Sequence, residues 1–309
     1  MGKASRAKRD GTRREKIAAQ QAAARRAEVR NKVLMFSGVV VVIIAVVVGF
    51  VVFKANSKPQ VASGTSNGPT GTALASVVTD TTSVPASTLN KVGAGSGVNA
   101  LPLTIKGGTP LTSGGKPEML YMGAEYCPYC AAERWAMVVA LSRFGTFSGL
   151  STVHSGSADT FANTPTWTFY KSTYTSKYLT FTPVEMQTNV ETQTSSGTSY
   201  TTLQTPTSAQ QALLAKYDAP PYVASANAGA IPFIDFGNKY MLSGASYSPQ
   251  ILQGMTWSQI ATALKDPTSP VAQAVDGTAN YLTATICKLT GNQPASACTP
   301  VVKQLEAKV

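Results

Sequence analysis

One histidine, His154, stands in 309 residues. That excludes His-rich metal clusters and any catalysis that needs two imidazoles. Cysteine is also scarce: four residues in two close pairs, Cys127/Cys130 and Cys287/Cys298. Four are too few for a small disulfide-dense scaffold. A structural zinc site needs four ligands, and the two pairs lie more than 150 positions apart. No metal and no organic cofactor is expected. No repeat of solenoid length is visible. Acidic residues are outnumbered, 15 against 26 Lys and Arg, but the excess is local. Residues 1–32 hold 11 of the basic and 3 of the acidic side chains, a net +8, which leaves +3 for the rest. A nucleic-acid-binding domain spreads basic residues over a folded face, so nucleic acid is not an expected partner. Residues 54–98 contain no aromatic side chain.

What is present begins with Val33 to Phe53, 21 residues without a charge. As a helix this run reaches about 31 Å, the thickness of a bilayer core. The basic arm 1–32 precedes it, so the expected topology is N-terminus in and C-terminus out. The apolar core is longer than a signal peptide's, which favours an uncleaved single-pass anchor in the cell membrane. The arm itself is read as a topology signal or as a contact for anionic headgroups. Residues 54–98, rich in Ser, Thr, Gly, Ala and Pro, are expected to form a flexible linker. Residues 99–309 are expected to form one extracytoplasmic α/β domain.

Within that domain, Leu101–Ile105 and Glu118–Ala124 read as strands, the second with the continuous apolar run of a strand buried on both faces. Pro128–Arg143 reads as a helix and Leu150–His154 as the next strand. Together they predict a β-α-β unit with parallel strands. Trp167–Tyr170 and Tyr178–Val184 are expected to be strands or a hairpin. The Thr/Ser-rich stretch Gln187–Thr205 reads as a mobile insertion. Helices are expected at Ser208–Tyr217, Thr256–Lys265 and Val271–Leu289. Ile231–Phe236, Gly237-Asn238 and Lys239–Leu242 form the clearest hairpin signal.

The chemistry centres on Cys127-Pro128-Tyr129-Cys130. Pro128 suits the first turn of a helix, which puts the first sulfur at the positive end of the helix dipole. There the thiolate is stabilised, and the thiolate attacks. Cys127 is the expected nucleophile and Cys130 the resolving thiol. A structural disulfide is the competing reading. Tyr126 and Tyr129 flank the pair and are candidates for an apolar lip that receives a peptide. Cys287 and Cys298 enclose a turn with Gly291 and Pro294 and are expected to form a structural disulfide, with a second redox pair as the alternative. His154 is a weaker candidate, more simply structural.

At these residues the chain resembles the thioredoxin-like superfamily. The likeness rests on Met119–Met122, on Ala124–Cys130, and on Ile231-Pro232 ahead of a hairpin. It implies a central mixed sheet flanked by helices. It also implies a cis Pro232 facing the dithiol, with Ile231 beside it, to bind substrate backbone. More closely, GAEYCPYCAAERW and Phe144–Ser148 resemble the domain-of-unknown-function family 929, over roughly residues 100–300. Thioredoxins and many of their exported relatives carry a buried acid six positions before the first cysteine. Here that position is Tyr121. Glu125 is a possible substitute that tunes the thiol, or a solvated surface residue. The expectation is a membrane-anchored thiol–disulfide oxidoreductase, oxidase-like or isomerase-like, acting on thiols and disulfides of exported proteins and reset by a membrane redox partner. Outside the cytoplasm a disulfide is the expected resting form. The alternative is a non-catalytic binding or scaffold domain on the same fold.

Overall fold

The computed structural model describes residues 68–194 and 197–309. The expected anchor 33–53 and basic arm 1–32 lie outside the described residues. Among the described residues no helix is long and apolar enough to cross a membrane.

The chain builds a mixed sheet with helices on both faces. Its central strand is β3, Lys116–Gly123. Antiparallel to it runs β11, Phe233–Phe236, which turns into β12, Tyr240–Ser243, and β12 pairs with the short β1, Leu103–Thr104. The short β2, Thr112–Ser113, pairs with the start of β3, and β8, Thr180–Glu185, lies parallel to the rest of it. Met119, Tyr121, Phe181, Ile234 and Phe236 face one side, Leu120, Met122, Val184 and Phe233 the other. Period-two alternation with both faces apolar requires a covering layer on each. Helix α4, Ser208–Tyr217, covers one face through Leu213, Leu214 and Tyr217. The other face carries α3, Pro128–Leu141, with α6, Pro270–Leu289. Every residue of α3 except Tyr129 is buried.

Several expectations need correction. The linker reading of 54–98 fails over its described part. Gly71–Thr82 forms helix α1 and Ala86–Val92 forms α2. Val77 and Leu89 enter the main core at 2 % exposure each. Folded structure therefore starts well before Asn99. Composition misled because these helices bury only a few small aliphatic residues, and the partner makes up the rest. The Nδ2 of Asn280, on α6, donates to the carbonyls of Leu89 and Gly93, 2.8 Å each. Gly277 leaves room for the chain at Ala94 and Gly95, which a Cβ would strike.

The strand that completes the β-α-β unit is β8, not Leu150–His154. Ser151–His154 (β5) pairs antiparallel with Pro165–Thr168 (β6) outside the main sheet. This pair is tied to α3 instead. Trp135 Nε1 donates to Pro165 O at 2.8 Å and Thr166 Oγ1 to Ala131 O at 2.8 Å. Flanking this pair in the chain, β4, Gly145–Ser148, pairs with β7, Thr173–Ser176. The aromatic runs 167–170 and 178–184 do supply strands, β6 and β8, but in different sheets rather than as a hairpin. The expected insertion is a hairpin of β9, Gln187–Thr194, and β10, Gly197–Thr202. The hairpin at 231–242 is present with a three-residue loop, because Phe236 pairs with Tyr240. Gly237 and Asn238 hold φ of 65° and 53° in it. Helix α5 spans Trp257–Ala263, and α7, Pro300–Leu305, follows the bonded pair Cys287–Cys298.

Candidate functional site

Strand β3 ends at Gly123, and the chain turns through Ala124, Glu125 and Tyr126 into α3. Gly123 leaves room there for the hydroxyl end of the buried Tyr121, which a Cβ would displace. Cys127 is the N-cap of α3, in extended conformation at φ −73° and ψ 121°, with Pro128 in the first turn. A proline at that point costs no hydrogen bond, since the first-turn N–H groups have no helical acceptor. The sulfur of Cys127 instead accepts from the backbone N–H of Cys130 at 3.2 Å.

Both cysteines are free thiols, 5 % and 0 % exposed, so the expected resting disulfide is not formed in this structure. Cys127 Sγ also lies 3.7 Å from the carbonyl oxygen of Ile231. The Ile231–Pro232 bond is cis. Strand pairing brings this segment to the dithiol from 104 positions away: Phe233 sits opposite Met122.

The two thiols are driven apart. The hydrogen bond from Cys130, then its backbone N–H and the Arg134 charge, hold the Cys127 thiol below its ordinary range against the effect of burial. Burial and the neighbouring sulfur push Cys130 well up. A low first thiol and a high second one suit nucleophile and resolving group.

The charge beside the pair was not anticipated. Arg134 and Glu185 form a fully buried two-point ion pair, Nε to Oε1 at 2.9 Å and Nη2 to Oε2 at 2.7 Å. Arg134 Nη2 also donates to Ala124 O at 2.6 Å. A signal existed: Glu133 and Arg134 interrupt an otherwise apolar helix, and Arg134 falls one turn after Cys130. Glu185 carried none, since only the parallel register places it beside Gly123.

Tyr121 occupies the position of the expected acid. Its ring meets Phe169 edge-on at 5.3 Å and lies 5.8 Å from the Arg134 guanidinium carbon. Burial pushes its hydroxyl well above the ordinary range. Glu125 is not a solvated surface residue: it is 7 % exposed and accepts from Thr168 Oγ1 at 2.6 Å. Burial raises its pKa. It lines a cleft of about 390 Å³ with Thr152, Thr168 and Tyr170. His154 turns aside, its Nδ1 2.9 Å from Ser155 O.

The two flanking tyrosines part company. Tyr129 is 46 % exposed and meets Phe161 edge-on. Tyr126 is covered by Tyr200 of β10, ring stacked on ring. The β9–β10 hairpin is fastened along this rim. Glu125 N donates to Gln187 O, and Gly156 N to Tyr126 O. Glu191 Oε1 accepts from Ser157 N, Ser157 Oγ and Ala158 N at 2.7–3.0 Å.

The family described as Domain of unknown function (DUF929) matches residues 105–288. The chain belongs to this family. The matched span contains the dithiol, the Arg134–Glu185 pair and the Ile231–Pro232 bond, and it ends just past Cys287. No curated protein and no solved structure matches the chain. The DUF929 assignment names a family without an activity, so chemistry has to be argued from the site.

Proposed function

We propose that this DUF929 chain is a membrane-anchored, extracytoplasmic thiol–disulfide oxidoreductase of thioredoxin-like design, acting on exported proteins. One observation carries the reading. Cys127 Sγ lies at a helix N-terminus, 3.2 Å from the Cys130 N–H and 3.7 Å from the carbonyl that precedes a cis proline. The helix N-terminus and the Cys130 N–H stabilise the thiolate, while the Ile231 carbonyl, which accepts from the thiol, marks a backbone that an extended peptide can pair with.

In the oxidising direction, a client thiolate attacks Cys127 Sγ of the disulfide. A client–Cys127 disulfide forms and Cys130 leaves as thiolate. A second client thiolate then attacks the client sulfur and Cys127 leaves. The client loses two electrons and the dithiol gains them. A membrane electron-transfer protein takes them up and restores the disulfide. Residues 33–53 hold the domain at the bilayer, and neither metal nor organic cofactor enters the scheme.

The burial of Cys127, 5 % exposed and packed with Tyr126 and Ile231, favours a second reading, a binding or scaffold domain with an inert pair. One experiment separates them. Cys130→Ser should accumulate mixed disulfides with exported proteins, and Cys127→Ser should not. A reduction potential below about −300 mV with no trapped client would sink the enzymatic reading. Surface proteolysis of intact cells tests the location: a domain cut only after lysis would reverse the orientation.

A further inference from the structure

Helix α3 is buried except at Tyr129, yet carries two charged residues, Glu133 and Arg134, both 0 % exposed. Glu133 is held by the N–H and Oγ of Ser246. Arg134 is only partly used. Nε and Nη2 serve Glu185 and Ala124, while Nη1 is buried with no hydrogen-bond partner. A buried donor left unpaired is costly.

Its position supplies a reason. Arg134 stands four residues after Cys130, on the same helix face, and helical side chains lean toward the N-terminus. Its stem therefore leans toward the cysteine turn. The Ala124 carbonyl that accepts from Nη2 also accepts from the backbone N–H of Cys127, at 3.3 Å. The guanidinium and the nucleophile are thus tied to one oxygen. The other titratable groups around the pair are Tyr121 on β3, Glu185 on β8, and Glu125 and Tyr126 in the turn. Glu185 is locked against Arg134, and Glu125 is held by Thr168.

We infer that Arg134 is the positioning residue of the dithiol: clamped by Glu185 and Ala124, its guanidinium is the fixed cation that keeps the Cys127 thiolate in a buried site. This deepens the thiol–disulfide reading and rests on it for its use. Burial alone disfavours a thiolate; the hydrogen bonds from Cys130 oppose it first, and the Arg134 charge adds to them. The Arg134 charge acts on both thiols in the same direction. A stabilised thiolate stabilises the reduced form and makes the disulfide a stronger oxidant.

The test uses two variants in the full chain. Arg134→Met with Glu185→Leu removes cation and anion together, and avoids an orphaned buried charge. Glu185→Gln keeps the cation and removes only its counter-charge. The thiolate absorbance of the reduced protein is followed against pH, and the dithiol is equilibrated with glutathione. The double variant should raise the Cys127 pKa by about one unit, a tenfold loss of thiolate at lower pH. Its glutathione equilibrium should move about tenfold toward the disulfide. Glu185→Gln should move both quantities the opposite way. A purely structural pair would move neither, or both variants alike, and either result overturns the proposal. Should the double variant not fold, the sign of the Glu185→Gln shift decides alone. Opposite shifts in a protein that traps no client would leave the role of Arg134 standing and sink the oxidoreductase reading.

Discussion

The ring of Tyr200 lies flat on the ring of Tyr126, with centroids 4.1 Å apart and planes 2° from parallel. This contact joins the residue just before the nucleophile to a hairpin that begins 61 positions later, at Gln187. It seats the β9–β10 hairpin on the turn that leads into the dithiol, while Tyr129, between the two cysteines, stays exposed.

Freeing Tyr126 from the hairpin should make Cys127, which packs against Tyr126, easier to reach. Tyr200→Ala should speed alkylation of Cys127 in the reduced protein several-fold. Gly156→Ala should act in the same way, because a Cβ there would run into the Tyr200 hydroxyl. Mass spectrometry of alkylated peptides reads both. Unchanged rates would mean that Cys127 is reached from another side.

The Arg134–Glu185 pair should show the asymmetry of buried ion pairs. Arg134→Met alone strands a buried carboxylate and should cost about 3–5 kcal/mol in urea unfolding, while replacing both partners should cost far less. Equal losses would mean that packing, not charge, sets the cost.

Helices α1 and α2 should behave as part of the fold. Leu89 is 2 % exposed in the main core. Leu89→Ala should therefore destabilise the domain by about 2–5 kcal/mol. A chain truncated to start at Asn99 should melt at lower temperature than one starting at Gly68. No loss in either would restore the linker reading for this segment.

The Cys287–Cys298 bond closes a separation of 11 residues. Its removal as a double Ser variant should cost about 3 kcal/mol in the chain-entropy account. It should leave the Cys127 pKa unchanged. A shift in that pKa would instead favour a relay between the two pairs.

Stability should fall as pH rises through neutrality. Burial raises Glu133 and Asp235 to about 7 and Asp276 to about 8. Both carboxylate oxygens of Asp276 lack a hydrogen-bond partner. These folded values lie above the ordinary 4.5 and 3.8, so the native state keeps protons that the unfolded chain has released. The stabilisation is complete below the unfolded values and is lost as pH passes 7 to 8. Asp276→Asn should flatten the slope between pH 5 and 8.5 and add about 1–3 kcal/mol at the alkaline end. A slope unchanged by that substitution would show that Asp276 does not carry it.

Much of the site was legible because its signals are local. Proline after the first cysteine marks a helix start, and an apolar run before it marks a buried strand. Ile231-Pro232 before a turn marks the facing segment, where the peptide bond is indeed cis. The spacing of Cys287 and Cys298 around a turn suggested their bond, and it is formed. Glu125 was less legible, since a lone acid in a turn reads as solvated until Thr168 and the hairpin are placed over it.

By itself the sequence determined the elements whose signals lie within a few residues: the dithiol turn, helices α3, α4 and α6, the hairpin β11–β12, and the 33–53 run as a candidate anchor. Tertiary structure decided what depends on partners far along the chain. It paired β3 with β8 rather than with β5, because β5 is taken by β6 above α3. It made helices of 71–92, whose few aliphatic residues suffice only when α6 supplies the opposing surface. It also set a cation against Glu185 beside two buried sulfurs. That last arrangement has no sequence pattern, because a fixed charge acts through space: its effect depends on distance and burial, which only the packed sheet and helix provide.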